Sequence, residues 1–280
     1  MVTIKIQCPS CFKKGSIEVE ENLVKNSKRG ITALNVAEDL VCEHSFVAYI
    51  DKNMKVRDSF IADFTIELPQ IKMEEPSEEL KIPDQEMINI YLLLLNYSAS
   101  WLAKIMRCCF YKTKFVMIND VQILNSHIIN LFEFIFQNTF DINLVIINHK
   151  DYRENKKLYK DYIIIDKEKV ENDKNKILKS RSLKIESKII QDFLNETNLK
   201  TSLIIIKNEI LKVYMLAKDT LEFINNLGEG TPLDARELNS HLNKIHNVKI
   251  QNSYLDFLVD IVRYYHGVKI IDAADFMAGL

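Results

Sequence analysis

A chain of 280 residues, 47% hydrophobic and 27% charged, carries enough apolar material for a full core and reads as two or three modules. Its net charge of -2 and pI near 6.3 exclude a global attraction to nucleic acid or anionic membranes, so any such binding must come from a local patch. Five cysteines, an odd number in a chain too large to need stapling, argue for a reducing compartment.

The first residues lack both the basic-then-apolar pattern of a secretory signal and the Arg/Ser bias of a transit peptide, which places the protein in the cytoplasm. Next comes Cys8-Pro9-Ser10-Cys11, a spacing that lets the chain fold back so that both thiolates face one ion. Cys42-Glu43-His44 supplies the second pair, because residues two apart on an extended segment project to one side. Four ligands of the Cys3His type close a tetrahedral shell around Zn2+ and leave no position for water, so the site is a folding staple. The alternative is a set of ordinary buried thiols, and His44 is the least standard ligand.

Between and after these ligands the residues alternate in strand fashion, at 16–20 and at 46–51, with Lys52-Asn53 turning a hairpin into Lys55-Val56-Arg57. Residues 1–60, a knuckle, a β excursion and a second ligand pair, resemble a zinc ribbon. That resemblance implies a small β module, residues 1–68. Zinc ribbons serve nucleic-acid machinery, protein docking or structure alone, and fold analogy does not choose among them. Residues 1–70 hold nine Lys/Arg against ten Asp/Glu, which gives no phosphate-tracking bias. Their one basic cluster, Lys25 to Arg29, reads as a solvated loop.

Residues 69–86, with six acidic and two basic residues and three of the five prolines, read as a solvated acidic linker. Beyond it, residues 87–103 carry no charge but fall short of a membrane span, with Lys104 and Arg107 following at once, so the expectation is a long buried helix over 87–110. Apolar strand runs at 115–120, 143–147 and 162–166, separated by helical stretches, predict an α/β domain over 87–227: a Rossmann-like arrangement with a mixed or mostly parallel sheet covered by helices. A helix is expected at 185–197, then a strand pair starting at 202–206 and turning at Lys207-Asn208-Glu209, then a helix at 217–227. Residues 228–280 close the chain. Gly228-Glu229-Gly230 breaks it, Thr231 can cap, Pro232 starts a helix with Asp234 completing the cap, and two helices near 232–246 and 252–266 end at Gly267.

In such a sheet ligands sit at the carboxyl ends of the strands, where Asp120, His149 and Asp166 could supply acid, base or metal ligands. Polar residues also simply mark where strands stop. Glycine-rich phosphate loops are absent, which disfavours nucleotide chemistry of the standard types. Ser126-His127 points two ways on one helix and is no dyad, and Cys108-Cys109 reads as core. Residues 150–188 hold thirteen Lys/Arg against eight Asp/Glu, interleaved with Tyr152, Tyr159 and Tyr162; this is a solvated face or an RNA surface. The terminal helices cap a domain, form a dimer surface or resemble a helix-turn-helix.

Three functions follow in order of preference. First is a non-catalytic zinc-binding regulatory or adaptor protein working through protein–protein contacts. Second is a nucleic-acid-associated regulator, and third an enzyme at the strand ends. Homo-oligomerisation through the terminal helices is compatible with all three.

Overall fold

The computed structural model describes residues 1–27, 30–61, 66–71, 81–167, 169–179, 182–196, 198–228 and 231–271. Strands β1 (Val2–Gln7) and β2 (Lys14–Val19) form an antiparallel hairpin, with Val2 opposite Val19 and Gln7 opposite Lys14. A short helix α1 (Glu21–Lys25) leads to a second antiparallel sheet, β3 (Ile31–Val36), β4 (Phe46–Asp51) and β5 (Val56–Ile61), with β4 in the middle. The turn expected at Lys52-Asn53 is present. Asp51 organises it, accepting from the backbone N–H groups of Asn53 and Lys55 at 2.9 Å each while Met54 takes a positive φ of 60°.

β4 is buried along its whole length, and its alternation divides it between two cores. Phe46, Ala48 and Ile50 pack toward Ile4, Ile6 and Val19 of the hairpin, whereas Val47 and Tyr49 belong to the main core with Trp101. Asp58 of β5 accepts from the Ala99 backbone N–H at 2.7 Å, which joins the β module to a helix start beyond the acidic stretch. Pro69 and Ile71, at the start of the segment expected to be a solvated linker, are buried, and Ile71 lies in that main core.

The long helix expected over 87–110 is two helices, α2 (Ile90–Asn96) and α3 (Ala99–Phe110). Local hydrogen bonding makes the break. Asn89 accepts from Leu92 N at 2.9 Å to cap α2, and Ser98 accepts from Trp101 N at 3.0 Å to start α3 afresh. No helix among the described residues is long and apolar enough to cross a membrane.

A mixed sheet follows: β6 (Phe115–Ile118), α4 (Gln122–Phe136), β7 (Leu144–Ile147), α5 (His149–Asn155), β8 (Ile163–Asp166) and β9 (Lys169–Glu171). Its order is β7-β6-β8-β9, parallel except for the last pair, which bears out the mostly parallel sheet expected of the α/β part. Phe115, Met117, Ile163 and Ile165 face the main core with α4; Val116, Ile118 and Ile164 face Tyr152 of α5 with Tyr159 and Tyr162. The two crossover helices therefore lie on opposite faces, and the order in which strands are added to the sheet reverses at β6, with β7 on one side of it and β8 on the other.

The strand pair expected from residue 202 onward is absent. Those residues and the helix expected at 217–227 form one helix, α7 (Leu199–Asn225), which follows α6 (Lys184–Asn195). Isoleucine-rich runs favour strands locally, but Leu203, Ile206, Ile210, Val213 and Leu216 fall on one helical face and are all buried. Asn198 caps this helix by accepting from Thr201 N at 3.1 Å.

Helices α8 (Ala235–His246) and α9 (Asn252–Tyr265) match the expected terminal pair, but Asp234 rather than Thr231 is the cap, accepting from Arg236 N at 2.7 Å. Gly267, with φ of +69°, ends α9 as expected. The interior of the acidic stretch (72–80), Lys28-Arg29, Glu229-Gly230, Glu168, Arg181 and the end of the chain from 272 lie outside the described residues.

Candidate metal centre and strand-end cluster

Cys8 directly follows β1 and Cys11 sits in the tight return to β2. That turn is closed by Cys8 N donating to Lys13 O at 2.9 Å and Phe12 N donating to Cys8 O at 3.0 Å, with Phe12 at a φ of 61°. Ser10 N donates to the Cys8 sulfur at 3.3 Å, the kind of N–H to sulfur contact that stabilises a thiolate. A second knuckle precedes β4. Asp39, at a φ of 69°, donates through its N–H to Cys42 O at 2.8 Å, and Cys42 Sγ lies 3.6 Å from His44 Nδ1.

The two knuckles bring the four ligand atoms within 4.8 Å of one another, close enough to hold a metal ion. A tetrahedral ion with three sulfurs and one nitrogen requires ligand separations of about 3.5 to 3.8 Å, and the Cys42–His44 pair already meets this. Cys8 and Cys42 are buried, whereas Cys11 is exposed. The Lys13 backbone N–H holds the Cys11 thiol down at about 7, while burial pushes Cys42 up to about 11. A bound cation would favour the thiolate at all three sulfurs.

The strand-end residues also meet. His149, the first residue of α5, has Nδ1 2.7 Å from Asp120 Oδ2 and Nε2 3.1 Å from Asp166 Oδ2. Its backbone N–H donates to Asp120 Oδ1 at 2.9 Å, and Arg153 Nε donates to the His149 carbonyl at 3.1 Å. One imidazole thus ties together the ends of β6, β7 and β8, at the point where the winding order of these parallel strands reverses. A ring that meets a carboxylate at each nitrogen can satisfy both only as imidazolium, and the Asp120 and Asp166 hydrogen bonds raise its pKa above the ordinary value of 6.5. The cluster remains open to solvent.

A titration follows from this geometry. In NMR the His149 imidazole is expected to titrate above 6.5, and Asp166→Asn is expected to lower its midpoint. The raised pKa means that the stabilisation is complete below the unfolded value and disappears as pH rises through the folded one. The stability difference between the parent and His149→Gln is therefore expected to shrink on going from pH 6 to 9, and a constant difference would refute the bridge.

The other residues singled out in the sequence have structural surroundings. Ser126 Oγ bonds Ile123 O within its own helix, and His127 Nδ1 contacts the Met87 carbonyl, so the two share no task. Cys108 and Cys109 are buried in the main core, and burial pushes both thiols up. Tyr152, Tyr159 and Tyr162 pack on one another and on the sheet. In the terminal pair, His246 Nε2 is held 2.6 Å from Asp219 Oδ2 of α7, and Asn239 bonds both backbone groups of Ile250.

Sequence reasoning did not single out one deeply buried charge pair. Arg107 of α3 meets Glu186 of α6 through Nε and through Nη2 at 2.8 Å, and also donates to Tyr111 Oη at 2.8 Å and Ser182 O at 2.6 Å. The available signal was a cationic residue flanked by the apolar run Ile105-Met106 and Cys108-Cys109-Phe110, a setting that requires a buried partner elsewhere in the chain. No protein-family model matches the chain, and comparisons with curated proteins and with solved structures give no significant match.

Proposed function

We propose that this chain is a non-catalytic, zinc-binding regulatory or adaptor protein of the cytoplasm that acts through protein–protein contacts, with a zinc-ribbon-like module as its docking part. The observation that carries this reading is the closed Cys3His set. Three thiolates and an imidazole suit zinc, and four protein ligands leave no coordination site for a substrate or activated water. The same two loops expose large apolar side chains, Phe12 at 68% and Leu40 at 61%, at the end of the molecule that the metal rigidifies.

Nucleic-acid binding through residues 150–188 draws less support, because the three tyrosines that would stack bases are packed against the sheet. Catalysis at Asp120, His149 and Asp166 is the second reading, favoured by the convergence of three strand ends at a reversal point. It requires the substrate to displace one carboxylate, since both ring nitrogens are engaged. Cross-linking of the full zinc-loaded chain in host extract, followed by mass spectrometry, tests the proposal. A protein partner retained at high salt is expected. Retention of nucleic acid alone, lost steeply as salt rises, would replace it with the nucleic-acid reading.

A further inference from the structure

The two small sheets of the first 61 residues leave a channel between them. β1 lies beside β5, with Ser59 Oγ donating to Gln7 O at 3.2 Å, so the outer edges of this assembly are β2 on one side and β3 on the other. Between those edges runs a groove of about 320 Å³ lined by Ile17, Glu18, Glu20, Leu23, Leu34 and Leu40. β2 pairs only with β1, so alternate N–H and C=O groups on its far side have no strand partner among the described residues. The β3 edge is partly occupied, because Ser27 Oγ donates to Ile31 O at 2.7 Å.

Side-chain alternation sorts the lining into a floor and a rim. Ile17 and Leu34 pack toward the small core and form the floor, with Leu23, 55% exposed, and Leu40 at the sides. Glu18 and Glu20 are exposed on the rim, Glu38 and Asp39 follow in the loop that carries Leu40, and among the described residues no lysine or arginine lines the groove.

We propose that this groove receives an extended segment of a partner protein, added as a strand to the free edge of β2, with apolar side chains alternating with basic ones. The proposal rests on the docking reading above and names the partner's chemistry. Period-two alternation of the added strand places every second side chain on the apolar floor and the intervening ones beside the glutamates. A basic partner satisfies this rim. A second copy does not, since it brings the same acidic groove.

The test uses the full zinc-loaded chain and three capped nine-residue peptides: one alternating valine and lysine, one with glutamate for every lysine, and one with a central proline. Expected results are saturable binding of the lysine peptide alone, with NMR shifts and slowed amide exchange along Lys14–Val19. The double variant Glu18→Lys/Glu20→Lys is expected to weaken binding about fivefold to tenfold, the loss of two exposed ion pairs. Because both glutamates are exposed the variant keeps its fold, which its circular dichroism checks.

Failure of the lysine peptide to saturate by about 1 mM, equal binding of the glutamate peptide, or shifts confined to other elements would overturn the proposal. So would a concentration-dependent dimer joined through β2. Cross-linking in host extract with the parent and the double variant separates the two readings. A partner captured equally by both leaves the docking function standing and removes the groove, whereas no partner for the parent removes the docking function itself.

Discussion

Stripping the metal with a chelator, or replacing Cys8 with alanine, is expected to unfold the β1–β2 hairpin and both knuckles while leaving the parallel sheet protected. The purified chain is expected to hold one equivalent of zinc, and Cys8→Ala and Cys42→Ala none. Structural zinc supplies about 10 kcal/mol or more where a small module has no other core. Here the loss is smaller, because Phe46, Ala48 and Ile50 retain apolar partners and Val47 and Tyr49 anchor β4 in the main core. Amide exchange distinguishes the cases: protection is expected to vanish over Val2–Val19 and to persist at Phe115–Ile118 and Ile163–Ile165. Unchanged protection in the metal-free chain, or less than about one equivalent of metal in the parent, would sink the staple.

The second large effect is expected at Arg107 and Glu186, where the side chains are 5% and 0% exposed. Removing either partner alone strands the other charge in the core at a cost of about 3 to 5 kcal/mol, read as a lowered urea midpoint. Replacing both with apolar residues of similar volume removes the buried charge altogether, so the Arg107→Met/Glu186→Leu pair is expected to lose much less than the sum of the two single losses. Some loss remains, since Tyr111 and the Ser182 carbonyl also give up a donor. An additive double variant would show that the pair is not coupled.

Both effects concern joints between segments far apart in the chain, and such joints are what a linear reading sees least well. The acidic composition of residues 69–86 argues for a solvated connector, yet the apolar Ile66, Leu68 and Ile71 at its entrance are buried in the main core. The run at 202–206 has a strand's composition, and only its fit as one helical face, buried between α4, α6 and α9, makes it part of a 27-residue helix. Conversely, the uncharged stretch at 87–103 is too short for a membrane span, and its Ile88, Ile90, Leu93, Trp101, Leu102 and Ala103 are buried in the main core, while Met87 and Tyr91 stay exposed.

The sequence by itself determined the four metal-ligand candidates, the strands at 46–51, 115–120, 143–147 and 162–166 to within two residues at each end, and the terminal helix pair. Each depends on local spacing, on apolar runs or on a turn residue, all of which act over a few positions. Only the tertiary structure decided that β4 serves two cores, that Asp120, His149 and Asp166 close on one another, that Arg107 finds Glu186, and that β2, among the described residues, pairs with β1 alone beside a groove rimmed by Glu18 and Glu20. Those outcomes depend on which elements become neighbours, which is set by burial summed over the whole chain rather than by any short stretch of it.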